Sequence, residues 1–128
     1  MTQDEIAVWA IEVGGDVVGL IQADEETEPQ YRYASIDIVV ASRAQDRGLG
    51  SDALRAVARW LLDVRGHHRL TIDPAASNER AIRAYSRVGF RPVGVMRNYE
   101  RARDRTWHDG LLMDLLAGEL SEPDQPAS

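Results

Sequence analysis

An α/β fold of the α+β kind, with one mixed, mostly antiparallel sheet and helices packed on it, follows from three features of this sequence. Short runs rich in β-formers are separated by turn chemistry. Two stretches carry helical periodicity and lie between such runs, so the order is β-β-β-α-β-α-β-β. The 128 residues show no internal repeat and no linker, which leaves room for one domain at 1–120 with a tail at 121–128.

Ala7–Val13 and Val17–Ala23 flank Gly14-Gly15-Asp16, the pattern of a hairpin. Asp24–Gln30 is acidic and polar and is expected to be a solvated loop. Arg32–Val40 is the third strand. Leu54, Val57, Ala58, Leu61 and Leu62 then form one apolar helical stripe, with Asp52 in the positive first turn and Gly66 as the stop. His68–Ile72 is a short fourth strand, followed by a loop over Asp73–Ser77. Asn78 is a good N-cap for a second helix, whose buried face is expected at Ala81, Ile82, Tyr85 and Val88. Gly89 fits the left-handed position after that helix, with Phe90 as its hydrophobic successor. A strand–helix–strand unit requires a right-handed crossover, which places these helices on a sheet. Arg91–Arg101 and Thr106–Leu116 complete the order as a strand pair turning near Arg103-Asp104-Arg105, and Ser121–Ser128 is expected to be disordered.

Composition narrows the function. A formal charge of −6 argues against a nucleic-acid partner, which needs a basic face, and mildly favours cationic small molecules. No apolar run is long enough to cross a bilayer, so no membrane partner is expected. Met1-Thr2-Gln3-Asp4-Glu5 is too acidic for a secretory signal. With no cysteine there is neither a disulfide framework nor a thiolate metal site, and the expected compartment is the cytoplasm. His67, His68 and His108 have no companions at metal-ligand spacing, so no metal is expected. Trp9, Trp60 and Trp107 are expected to be packing residues.

Chemistry is concentrated in two segments. Gln45-Asp46-Arg47-Gly48-Leu49-Gly50-Ser51 lies between a strand and a helix, where glycines admit an anion to the outward-pointing first N–H groups of the helix. It has neither the Walker ending nor GxGxxG, and such a turn taken alone is more often structural than ligand-binding. The second segment is Asn78-x-x-Ala81-x-x-x-Tyr85-x-x-x-Gly89-Phe90, in which Ala81, Tyr85 and Gly89 share one face with the helix start. Taken alone, Tyr85 is equally read as a core aromatic with its hydroxyl at the rim.

Together, in this order, the two segments resemble the GNAT acetyltransferases, over about Ile6 to Leu120. The resemblance implies acetyl-CoA as cosubstrate. Gln45, Arg47, Gly48, Gly50 and Ser51 would face its pyrophosphate, Val39 and Val40 its pantetheine arm, and Asn78, Ala81 and Tyr85 its other side. Ser35-Ile36-Asp37 and Thr71 through Arg83 look most like bacterial aminoglycoside 6′-N-acetyltransferases, which implies acceptor contacts at Asp37 and Asp73. Trp107-His108-Asp109-Gly110 through Leu116 is shared with enzymes that acetylate protein N-termini or small amines.

Acetyl transfer to an amine needs a base, a polarised carbonyl and a proton for the departing thiolate. Alternation puts Asp37 on the opposite face from Ile36 and Ile38, so it is either the base and ammonium ligand or a solvated strand carboxylate. Tyr85 is the candidate acid, and the N–H groups near Val39 and Val40 are a candidate oxyanion hole. The acceptor that the resemblance implies is a small-molecule amine of aminoglycoside type. The alternatives are a protein N-terminus, a polyamine, or a coenzyme-A-binding module without catalysis. Members of the family usually begin with a strand and two helices before the hairpin, where this sequence starts; that segment is either lost, supplied by another chain or absent, and a homodimer is expected to cover the exposed edge.

Overall fold

The computed structural model describes residues 5–45 and 47–122. Its elements are β1 (Glu5–Val13), β2 (Asp16–Glu26), β3 (Tyr33–Val40), a 3₁₀ turn (Ser42–Ala44), α1 (Leu49–Asp63), β4 (Arg69–Ile72), α2 (Glu79–Val88), β5 (Arg91–Arg101) and β6 (Trp107–Leu116). One six-stranded sheet has the order β1-β2-β3-β4-β6-β5, and only β3 and β4 run parallel. The expected element order and sheet type are those of the structure, and helix α1 is the crossover that a parallel pair requires.

One face of the sheet carries the core. Ile21 and Ala23, Ala34 and Ile36, Leu70 and Ile72, and Met113 and Leu115 are buried there with Leu54, Val57, Ala58 and Leu61 of α1. Each fully buried leucine contributes about 2–3 kcal/mol from burial alone. Trp9 and Trp60 meet edge to face with centroids 5.4 Å apart, as packing residues do. Phe90 is buried below the end of α2, and Gly89 precedes it at φ 126, where a Cβ would stand 2.4 Å from the Glu119 carbonyl oxygen.

Several expectations need correction. The segment expected as an acidic loop begins as strand: Asp24, Glu25 and Glu26 belong to β2, because pairing with both β1 and β3 satisfies their backbone. Glu25 follows Ile21 and Ala23 on the helix-facing side and is only 3% exposed. Its carboxylate accepts from His67 Nε2 at 2.6 Å and Arg65 Nε at 3.0 Å, and Arg65 also reaches Glu5 at 2.6 Å. Trp107 is exposed rather than packed, since it pairs with Arg101 near the end of the β5–β6 hairpin. On α2 only Val88 is fully buried, while Ala81, Ile82 and Tyr85 are half-buried, because this face borders an open cleft. Of the expected disordered tail, Ser121 donates its N–H to Val88 O at 2.9 Å and Glu122 pairs with Arg59 at 2.8 Å; the remainder, and residues 1–4, lie outside the described residues.

Candidate active site

The parallel pairing of β3 and β4 is short. It joins Ala34 to Leu70, Ser35 to Thr71 and Ile36 to Ile72, and then the strands part. Beyond Ile36, β3 keeps its partner β2 as far as Val40 but has no paired neighbour on its other side. That leaves one backbone edge of residues 37–40 able to hydrogen-bond an extended ligand chain. The fork widens into a cleft of about 900 Å³. Its walls are Ile38, Val39 and Val40 of β3, the turn and first residues of α1 (Gln45, Gly48, Gly50, Ser51), and Asn78, Arg80, Ala81 and Tyr85 at and within α2.

The two helix starts bordering the cleft are built differently. Asn78 caps α2 with its own side chain, Oδ1 accepting from Ala81 N at 3.1 Å. Gly48 caps α1 with no side chain at φ 75, and the first intrahelical bond there is Asp52 N to Gly48 O at 3.0 Å. The preceding first-turn N–H groups have no intrahelical acceptor and sit at the positive end of a 15-residue helix. A Cβ on Gly48 would meet nothing within 4 Å, so glycine serves its left-handed conformation and not crowding. Gln45 links the two walls, donating from Nε2 to Val40 O at 3.1 Å and accepting from Arg80 at 2.5 Å. Arg47 is exposed and lies outside the cleft lining, and Asp46 lies outside the described residues.

Asp37 and Asp73 are the first residues beyond the last parallel pair, one on each arm of the fork. Both carboxylates lie near enough to the same two phenols, Tyr85 and Tyr99, for their charges to act on them. Neither carboxylate takes part in a described ion pair with a basic side chain. Tyr85 lines the cleft from α2. Burial pushes its hydroxyl up to about 12, and the charges of Asp37 and then Asp73 push in the same direction. It therefore holds its proton at any physiological pH. Tyr99, on β5, donates its hydroxyl to Asp73 Oδ2 at 2.5 Å; that bond, followed by burial, also pushes it up to about 12. Nothing in the spacing of the sequence singles out Tyr99.

An open helix end, an unpaired strand edge and a carboxylate pair with a protonated phenol thus converge on one fork. The model of the Acetyltransferase (GNAT) family matches residues 1–90. The chain belongs to the GNAT family. Aminoglycoside N(6′)-acetyltransferase type 1 of Klebsiella pneumoniae is 29% identical over 108 residues, covering 75% of this chain and 53% of that protein. The kanamycin resistance protein of Rhizobium radiobacter is 36% identical over 74 residues, covering 57% of this chain and 67% of that one. Among solved structures, Mycobacterium smegmatis RimJ in complex with CoA-disulfide superimposes with a TM-score of 0.83 at 27% identity, over 91% of this chain and 56% of that one. This GNAT chain therefore spans about half the length of the first of these curated relatives. Among the described residues, no helix is long and apolar enough to cross a membrane.

Proposed function

We propose that this chain is an acetyl-CoA-dependent N-acetyltransferase domain, spanning 1–120, that acts on a primary amine of aminoglycoside type. The observation that carries this reading is the fork itself, with the uncapped start of α1 at one end of the cleft and Asp37, Asp73 and Tyr85 at the other. Similarity to the aminoglycoside acetyltransferase supports the acceptor class. A cysteine-free chain has no thiol to carry an acyl group, so transfer is direct, and the lack of any disulfide suits a reducing cytoplasm.

The residues present fit acetyl-CoA. The N–H groups following Gly48 would hold its diphosphate, the free edge of Val39 and Val40 its amide-bearing arm, and Asn78 and Ala81 would line the opposite wall. When bound, it supplies the thioester-linked acetyl group. Asp37 accepts the proton that the amine must lose, directly or through water. N–H groups near Val39 and Val40 would stabilise negative charge on a carbonyl oxygen. Tyr85 Oη donates its proton to the sulfur as the carbon–sulfur bond breaks. A departing thiolate, the conjugate base of a thiol of pKa about 8.5, is too weak a base to hold a proton taken from a phenol of pKa about 12, so Tyr85 would take up a proton released by the attacking nitrogen as it gives its own to the sulfur.

Valine at Gly48 should weaken acetyl-CoA binding at least about tenfold, because a β-branched residue resists the left-handed cap. Calorimetry on the folded variant checks this, and unchanged affinity would remove the cradle from the proposal. An acceptor screen with thiol detection tests the reaction; binding with no thiol release for any amine would leave a coenzyme-A-binding module.

The homodimer also stands as a proposal. Ile6 and Val8 are 61% and 57% exposed on β1, which among the described residues pairs with β2 alone. Sedimentation at micromolar concentration should report a dimer, and a monomer there would refute it.

A further inference from the structure

The hydroxyl of Tyr99 reaches Asp73 only because the β5–β6 hairpin is distorted. The two strands lose register between Met96 and Glu100. Within that bulge Asn98 adopts φ 50, in the left-handed region that asparagine tolerates better than most residues. Its N–H is held by Asp109 Oδ1 at 2.9 Å. The Tyr99 ring then lies on Gly110, so close that a Cβ there would stand 2.8 Å from Tyr99 Cδ2. The loop carrying Asp73 is fastened to the same stretch of β6, with Ala76 N bonded to Asp109 O at 2.9 Å and Leu111 N to Pro74 O at 2.8 Å. Asp109 thus anchors the bulge with its side chain and the loop with its main chain. Phenol and carboxylate are held to each other from both sides.

This contact lies outside the hydrophobic core. Tyr99 is 48% exposed and contributes little to the core, and an ordinary register would avoid the left-handed Asn98. What the distortion achieves is to occupy one oxygen of Asp73 and hold that carboxylate on its arm of the fork, with Asp37 on the other. Carboxylates on the two arms of one fork repel, and no described basic side chain neutralises either. A ligand with two ammonium groups would relieve both charges at once. A ligand with one would leave the second carboxylate uncompensated.

We infer that Tyr99 is a positioning residue for acceptor choice: by clasping Asp73 it makes the fork select amines that carry a second ammonium group. The inference rests on the acetyltransferase reading for its biological meaning, but the cation preference is measurable without turnover. Asp37 takes the amine that reacts, and Asp73, held by Tyr99, takes the other.

Kanamycin, with several amines, and glucosamine, with one, serve as probes in NMR titrations of the full chain. The unmodified protein should bind kanamycin at least about tenfold more tightly than glucosamine. Tyr99→Phe keeps the ring on Gly110 and the net charge, so general attraction to an acidic protein is unaltered. It should lower kanamycin affinity by about tenfold, the usual weight of one hydrogen bond to a charged group. Glucosamine affinity should hold. Asp73→Asn should remove the same preference, and the double variant should lose no more than Asp73→Asn alone, because the hydroxyl acts through that carboxylate. In turnover, Tyr99→Phe should raise KM for kanamycin while kcat and KM for acetyl-CoA hold. Equal binding of the two probes by the unmodified protein would overturn the inference. So would a Tyr99→Phe variant that keeps the preference, or one that loses affinity for both probes alike. A parallel titration with acetyl-CoA separates the two readings: failure to bind it would sink the proposed reaction while leaving the cation preference to stand or fall by itself.

Discussion

Phenylalanine at Tyr85 should slow acetyl transfer on the order of 10²–10⁴-fold while acetyl-CoA affinity changes little. The ring half-buried against the cleft is retained, so packing and the apolar wall persist. What disappears is a hydroxyl held protonated by burial and by the two carboxylates, the proton donor of the proposed reaction. The rate should not rise toward alkaline pH through any ordinary tyrosine titration, because that hydroxyl is pushed up to about 12. Asp37→Asn tests the other half of the proton inventory and should also lower turnover, with acceptor affinity falling too if the carboxylate holds the ammonium directly. Residues that act as a unit are strongly non-additive, so the double variant should be little slower than the worse single one. Single-turnover kinetics measure these effects. Near-normal rates in Tyr85→Phe would return the residue to a packing role and leave the fold assignment untouched.

Replacing Glu25 with glutamine should destabilise the protein by about 3 kcal/mol at neutral pH, the lower end of what breaking a buried ion pair costs. For a domain of this size that lowers Tm by roughly 10 °C. Glu25 is almost fully enclosed and accepts from both His67 and Arg65. Burial by itself raises its pKa, but the hydrogen bonds from Arg65 and His67 outweigh that and hold it below the usual 4.5. A carboxyl whose folded pKa is depressed stabilises the fold fully above its unfolded pKa. That contribution is lost as the pH falls from there through the folded value. The unmodified protein should therefore weaken below about pH 4.5, and the glutamine variant should lack this part of the acid response. Denaturant melts across the acid range supply the measurement. A variant within about 1 kcal/mol of the unmodified protein, with the same acid response, would show that the cluster carries no net stability.

Glu25 also shows where reading the chain misleads. Period-2 alternation through Ile21 and Ala23 continues to Glu25, yet the density of carboxylates in Asp24–Gln30 speaks for a solvated loop. The carboxylate is tolerated at an inward position because Arg65 and His67, some forty residues later, are brought over it by the end of α1. Trp107 errs in the other direction: its size suggests burial, but its place near the hairpin tip leaves nothing to bury it.

The sequence by itself determined the element order, the glycine-rich turn before α1, the cap at Asn78, the core stripe of α1, the turn at Gly89 and the family. The elements, cap and turns depend on spacing within one segment, because helix and strand periods and the φ preferences of glycine are local properties, and the family needed only two such segments in order. Only the tertiary structure decided where β3 and β4 part, which sets Asp37 and Asp73 on the two arms of the fork, and which phenol then reaches Asp73. Tyr99 stands 26 residues from Asp73, and its contact depends on a bulge in one hairpin and two main-chain bonds to a separate loop. Such a meeting is fixed by the register between distant strands. Register comes from the packing of the whole sheet, and no local pattern of residues records it.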